Sequence, residues 1–135
     1  MSALLVEKNG PIVTLTINRP ESRNPLGEEG DGELFAQACQ QINADRDVRC
    51  AILTGAGPAL SAGGNVKAMR ERSGAFAGAG VHIRERYRNG IHRIVKSVWG
   101  LEVPLIAAVN GPAIGLGNDV ACLADMRIAA DNAIF

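Results

Sequence analysis

Short apolar segments along the chain differ in their spacing, and this spacing separates predicted strands from predicted helices. Residues 4–6 and 12–17 are β-type segments joined through Asn9-Gly10, a dipeptide typical of β-hairpins. Within 12–17, apolar residues alternate with threonines, which predicts a strand with one packed face and one partly solvated face. Three further strands are predicted at residues 50–54, 105–109 and 126–129. The first two are continuous apolar runs, which are typical of buried parallel strands.

Apolar residues at helical spacing predict four helices between these strands. Asp31 is the expected N-cap of the first helix. Residues 73–80 are almost all glycine and alanine, which predicts a mobile loop. Because strands and helices alternate, we expect an α/β fold with a mainly parallel sheet covered by helices, in a single domain. The predicted helices are residues 31–44, 65–70, 81–98 and 118–124.

Glycine is the unusual feature of the composition, at 16 of 135 residues. Twice, a predicted buried strand leads into a glycine-rich turn and then into a helix, at residues 55–64 and 110–117. A helix N-terminus presents unpaired backbone N–H groups and a partial positive charge, and glycine lets a ligand approach the backbone. Two such turns facing one point would form an oxyanion hole. Tight turns and close packing of helix on sheet would also explain these glycines.

Charge and hydropathy exclude two classes of partner. The 14 basic and 14 acidic residues give a formal net charge of zero, whereas nucleic acid or an anionic membrane surface requires a basic surplus or face. No window approaches the ~20 apolar residues of a membrane span. Glu7 and Gly10 interrupt the N-terminal apolar segment too early for a signal peptide. We therefore expect a cytoplasmic protein that binds neither nucleic acid nor membrane.

Nucleotide-binding and metal-binding motifs are also not predicted. The chain contains no GxxxxGK[ST] sequence, and Val120 stands where a dinucleotide fingerprint requires glycine or alanine. Cys39, Cys50 and Cys122 are widely separated among apolar neighbours. This pattern predicts buried free thiols in preference to a disulfide or metal framework.

Four segments, in order, resemble motifs of the crotonase (enoyl-CoA hydratase/isomerase) superfamily. Residues 16–20 with Asn24 and Leu26 resemble its "NRP…NAL" segment, and residues 51–66 resemble "vlTG…AGaDl". Residues 104–117 resemble "kPviAavnG…GgG", and residues 125–135 resemble "cDiriAse…F". The resemblance implies a crotonase-like spiral of ββα units, with residues 1–135 forming the N-terminal part of one such domain.

The resemblance also implies a coenzyme A thioester as substrate, with no permanently bound cofactor. The backbone N–H groups of Gly64 and Leu116 would polarise the thioester carbonyl, and the leucine side chain would narrow the acyl pocket. Asp119 falls where hydratases of the family carry the first of two catalytic glutamates. Stabilisation of the first helical turn would equally explain an acid at this position. By the same resemblance, the residues that contact coenzyme A are Ser22, Arg23, Ala62, Gly63 and Lys67.

The hydratases' second catalytic acid would lie beyond Phe135, together with the helices that build the family's homotrimers and hexamers. We therefore expect the sequence to be a C-terminally truncated portion of a longer chain. The expected function is hydration of a 2-enoyl-CoA. An enoyl-CoA isomerase or another single-acid crotonase reaction is the nearest alternative, and a non-catalytic protein that binds CoA thioesters or assists assembly is a third.

Overall fold

The computed structural model describes residues 2–135, which form a five-stranded sheet with accompanying helices. The strands are β1 (Leu4–Asn9), β2 (Ile12–Ile17), β3 (Cys50–Gly55), β4 (Leu105–Val109) and β5 (Met126–Ala129). The helices are α1 (Asp31–Ala44), α2 (Val66–Glu71), α3 (Gly80–Asn89), α4 (Ile91–Trp99) and α5 (Leu116–Leu123). Single turns of 3₁₀ helix lie at Pro20–Ser22 and Gly74–Phe76.

The sheet confirms the α/β prediction. Its strands follow chain order, β1-β2-β3-β4-β5; the β1–β2 hairpin is antiparallel and the other three pairings are parallel. Each parallel connection contains at least one helix, as parallel strands require. The carboxyl ends of β3 and β4 therefore lie at the same edge, and both glycine-rich turns begin there.

One face of the sheet holds the core, as the alternation in β2 predicts. Val13 is paired with Ala51, which is paired with Leu105, and all three are buried. On the opposite face, Thr14 and Ile52 form a half-buried row beside them. Helices α1, α4 and α5 contribute to the same apolar cluster as the buried row, through Phe35, Ala38, Ile42, Ile94, Val98, Leu116, Val120 and Ala121.

Two helix predictions are wrong in their boundaries. The expected single helix 81–98 is divided at Gly90, whose φ of −102° and ψ of −92° are not helical. The break lies against α1, since a Cβ on Gly32 would sit 2.3 Å from the Asn89 carbonyl oxygen. The last helix begins at Leu116 rather than 118, so the second glycine turn runs directly into it.

Smaller expectations about polar and loop residues also change. The N-cap of α1 is Gly30, and Asp31 is instead a buried first-turn residue. The segment 73–80 contains a 3₁₀ turn whose Phe76 is buried, with its ring edge-on to Tyr87 at 6.1 Å between centroids.

The three cysteines are free, as predicted, but only one is buried. Cys39 is buried, and desolvation raises the pKa of its thiol to about 11. Cys50 is half-buried and Cys122 is exposed, so the expectation of three buried thiols is wrong for these two.

Across residues 2–135, no helix is long and apolar enough to cross a membrane. The same residues contain no group of three His, Cys, Asp or Glu side chains that could hold a metal ion.

Candidate functional site

The two glycine turns lie side by side beyond the carboxyl ends of β3 and β4. Ser61 in the first turn forms a parallel bridge with Ala113 in the second. The Ser61 N–H donates to the Pro112 carbonyl at 3.2 Å, and the Ile114 N–H donates to the Ser61 carbonyl at 2.9 Å. The turns are therefore joined by their backbones.

The closest approach of the turns is at two glycines. A Cβ on Gly63 would lie 2.5 Å from the Ile114 carbonyl oxygen and 3.4 Å from the Gly115 Cα. Both backbones also require glycine, because φ is +79° at Gly63 and +54° at Gly115. The residue after each glycine is one of the two predicted N–H donors. This contact therefore brings the peptide units of Gly64 and Leu116 into one region.

Both predicted donors are available. Within residues 2–135, neither the Gly64 N–H nor the Leu116 N–H donates a hydrogen bond. Their peptide units are nevertheless held from the carbonyl side. The Gly63 carbonyl accepts from the Leu26 N–H at 2.9 Å, and the Gly115 carbonyl accepts from the Asp119 N–H at 3.0 Å. Leu116 is the first residue of α5, so its N–H also has the favourable potential of a helix N-terminus.

The side chains of α5 separate into two environments. Leu116 is 8% exposed and belongs to the core cluster, so its side chain packs with the core. Its effect on the width of an acyl pocket stays a prediction. Asp119 is exposed in the first turn of the same helix, three residues after the donor. A carboxylate at this spacing lies within one helical turn of the Leu116 N–H.

The other donor residue, Gly64, is covered by the side chain of Met69. A Cβ on Gly64 would lie 2.7 Å from the terminal methyl group of Met69.

The predicted coenzyme A residues flank the first turn. Ser22 and Arg23 are exposed at the end of the 3₁₀ turn, and the Ala62 N–H donates to the Arg23 carbonyl at 2.8 Å. Ala62 is exposed, while Gly63 is buried. Lys67 is exposed in the first turn of α2, which follows the first glycine turn directly. The structure thus brings Ser22, Arg23 and Ala62 together and leaves Lys67 on a neighbouring exposed helix.

Sequence reasoning missed two asparagines that clamp the first turn. Asn110, at the end of β4, donates through Nδ2 to the carbonyls of Gly55 at 2.7 Å and Gly57 at 2.9 Å, and its Oδ1 accepts from the Gly55 N–H at 3.2 Å. Asn24 is fully buried and donates to the carbonyls of Ala56 and Ala59, both at 2.8 Å. Asn110 therefore fixes the first turn to the end of the strand that leads into the second, and Asn24 fixes it to the loop that follows β2.

An ion pair beside the first turn was also missed. Both Arg19 guanidinium nitrogens donate to the Asp31 carboxylate, at 2.9 and 2.7 Å, in the bidentate arrangement that favours arginine. Asp31 is 2% exposed. Its Oδ2 also accepts from the N–H groups of Gly27 and Glu28, each at 3.0 Å. The only sequence signal was Asp31 at a helix start, which indicated a cap.

Comparisons with known proteins give the family of this chain. The model of the enoyl-CoA hydratase/isomerase family matches residues 7–135. Enoyl-CoA hydratase EchA19 of Mycobacterium tuberculosis is 36% identical, over 97% of this chain and 47% of its own length. The 1,2-epoxyphenylacetyl-CoA isomerase of Escherichia coli is 36% identical, over 96% of this chain and 47% of its own length.

A solved structure shares the same architecture. The crystal structure of an enoyl-CoA hydratase/carnithine racemase from Magnetospirillum magneticum has a TM-score of 0.85 and 29% identity, covering 98% of this chain and 48% of that one. The chain spans about half the length of the curated relatives it matches. Since the family model covers nearly all of the sequence and the fold agrees, the chain belongs to the enoyl-CoA hydratase/isomerase family of the crotonase superfamily.

Proposed function

We propose that the protein acts on a coenzyme A thioester and adds water to a 2-enoyl-CoA. The observation that supports this proposal is the contact of the two glycine turns at Gly63 and Gly115, each followed by an N–H that donates to no acceptor within residues 2–135. A thioester carbonyl oxygen accepting from Gly64 and Leu116 would be polarised. Both donors are fixed before the substrate binds, so they stabilise the enolate without reorganisation. One such donor is worth about 10²–10³ in kcat.

Asp119 is the proposed proton-transfer group. It is exposed one helical turn from the Leu116 donor, where its carboxylate would face the α and β carbons of a bound acyl chain or a water beside them. General acid–base catalysis of this kind contributes about 10²–10⁴-fold. Coenzyme A would lie along the exposed residues Ser22, Arg23 and Lys67, whose two cations suit its phosphates.

An isomerase that uses a single acid is the second candidate. Asp119 would suffice to move one proton, and relatives named as a hydratase and as an isomerase are equally similar, at 36% identity. A non-catalytic CoA-thioester-binding or assembly protein is the third. The cytoplasmic location stays a prediction from the sequence. The family resemblance further supports a homotrimer or a hexamer of two trimers, which analytical ultracentrifugation of the purified protein tests.

Leu116→Pro tests the donor directly, because proline has no N–H and its fixed φ suits the first position of a helix. Leu116→Ala is the matched control, since it removes the same buried side chain and keeps the N–H. We expect Leu116→Pro to lower kcat for hydration of crotonyl-CoA by about 10²–10³ relative to Leu116→Ala. Equal rates in the two variants would remove the Leu116 N–H from the mechanism.

Asp119→Asn tests the acid, with Asp47→Asn as a control at the opposite end of β3. We expect the Asp119 variant to lose about 10²-fold or more of its hydration rate and the control to keep the wild-type rate. A wild-type protein that moves the double bond without adding water would support the isomerase. Binding of crotonyl-CoA in a calorimeter without turnover of either kind would support the non-catalytic protein.

A further inference from the structure

The orientation of the Gly64 N–H is set from the other side of its peptide bond. This N–H and the Gly63 carbonyl belong to one planar trans peptide unit and point in opposite directions. The Leu26 N–H holds the Gly63 carbonyl at 2.9 Å, and Pro25 forms a parallel bridge with Gly63. Any movement of residues 25–26 therefore rotates or shifts the Gly64 N–H.

Residues 25–28 are in turn held by one ion pair. Arg19 donates to the Pro25 carbonyl at 3.2 Å through Nη1, one of the two nitrogens that donate to Asp31. Asp31 accepts from the N–H groups of Gly27 and Glu28, so its carboxylate and the Arg19 guanidinium contact the segment on both sides of Leu26. The segment thus has its backbone fixed at residues 25, 27 and 28, and the residue between them is the one that orients the donor peptide.

We propose that the Arg19–Asp31 ion pair positions the Gly64 N–H for the thioester carbonyl, acting through Leu26 and Gly63. This inference rests on the proposed function. Arg19 and Asp31 are positioning residues, because their contacts end at the protein backbone and reach the donor through one intervening hydrogen bond.

The environment of the pair distinguishes it from the other ion pairs. Asp31 is almost fully buried, and its hydrogen bond raises the pKa of the Arg19 guanidinium further above its ordinary value. By contrast, both partners of Arg93–Glu33 are more than 40% exposed, although Glu33 also belongs to α1. Arg93→Ala is therefore a matched control: it removes a guanidinium–carboxylate pair from the same helix without touching residues 25–28.

The experiment measures the carbonyl stretch of butyryl-CoA, isotope-labelled at the thioester carbon and bound to the purified protein, by difference Raman spectroscopy. Polarisation by two N–H donors lowers this frequency relative to the free thioester. We expect Arg19→Met to reduce the lowering by about half, because one of two donors is displaced, and Arg93→Ala to leave it unchanged. In parallel, kcat for crotonyl-CoA falls about 10-fold to 100-fold in Arg19→Met, with KM little changed, because small misplacements at a reacting centre have effects of this size.

Arg19→Met leaves the buried Asp31 carboxylate unpaired and is expected to be less stable. The double variant Arg19→Met with Asp31→Asn removes both charges together. The side-chain amide oxygen at position 31 can still accept hydrogen bonds from the N–H groups of Gly27 and Glu28. It provides the same spectroscopic test on a folded protein. A wild-type carbonyl frequency in this variant would overturn the inference, as would a rise in KM with kcat unchanged.

Failure of this inference differs from failure of the proposed function. If wild-type protein does not lower the carbonyl frequency of bound butyryl-CoA, the oxyanion hole itself is refuted. If wild-type protein lowers it and the Arg19 variants lower it equally, only the positioning role of the ion pair is refuted.

Discussion

Gly63→Ala tests the contact between the two glycine turns. The substitution adds one methyl group, which would lie 2.5 Å from the Ile114 carbonyl oxygen. Real Cβ atoms essentially never approach closer than 3.0 Å, so the turns must separate by at least about 0.5 Å. Gly63 also has a φ of +79°, which an alanine adopts only with strain.

The two costs can be separated with Gly10→Ala. Gly10 has a φ of +57° in the β1–β2 hairpin, but its added Cβ would meet nothing within 4 Å. Left-handed backbone costs about 1–2 kcal/mol in both variants. Overpacking adds about 1–3 kcal/mol at Gly63 alone. The entropy lost from the unfolded chain when glycine becomes alanine is common to both variants and cancels in their difference.

Urea unfolding of the purified protein gives both free energies of unfolding by linear extrapolation. We expect Gly63→Ala to be less stable than Gly10→Ala by about 1–3 kcal/mol. Hydration of crotonyl-CoA should fall at least 10-fold in Gly63→Ala at temperatures where it is folded, since the donors are displaced. Equal destabilisation and equal activity of the two variants would refute the tight contact between the turns.

Three further predictions concern the Asn110 clamp and the thiols of Cys39 and Cys122. Asn110→Ala removes the three hydrogen bonds described above and should cost about 2–3 kcal/mol of stability and lower kcat. The control is Asn43→Ala, which removes two hydrogen bonds (2.8 and 2.9 Å) to residues 100 and 102 and should lower stability while leaving kcat unchanged. Alkylation followed by mass spectrometry should modify Cys122 in the folded protein and Cys39 only after unfolding. Burial raises the pKa of Cys39 from 9.0 to about 11, because the folded protein favours the neutral thiol. The contribution of this thiol to the free energy of unfolding is therefore complete below pH 9 and is lost as the pH rises through 11. Cys39→Ala should make the free energy of unfolding decline less steeply over this alkaline range. A native-state reaction at Cys39 as fast as at Cys122 would contradict the burial.

The regular elements could be predicted from sequence because their signals are local. Alternation in 12–17 and the apolar runs at 50–54 and 105–109 identify strands whatever they pair with. The break at Gly90 could not be predicted in the same way. A helix tolerates an isolated glycine, and the interruption coincides with the close approach of α1 at Gly32, which is 58 residues away in sequence.

The proposed donors were predicted from the glycine turns and the family resemblance, but the groups that hold their peptide units were not. Both asparagines contact the first glycine turn, at residues more than 30 positions after Asn24 and more than 50 positions before Asn110. In sequence, each stands in a loop, where a polar residue is ordinarily solvated. Asp31 was expected only as a helix cap, and Arg19 only as part of the motif at residues 16–20. Their roles depend on tertiary pairing, which residue spacing does not show.

Backbone donors explain why the family is easier to identify than the reaction. Every residue except proline has a backbone N–H, so the sequence specifies these donors only through residues that shape or hold their peptide units. Gly63 and Gly115 allow the positive φ that the two turns adopt, and Asn24 and Asn110 hold the first turn by hydrogen bonds. These residues coincide with the motifs that resemble the family, and the proposed donors that they hold would serve any reaction that develops charge on a thioester oxygen. The choice between adding water and moving a double bond depends instead on the acids beside the acyl chain. Within residues 2–135 the proposed acid is Asp119 alone, and both candidate reactions use it, so the product formed by the wild-type protein separates the reactions in a way that the turn motifs cannot.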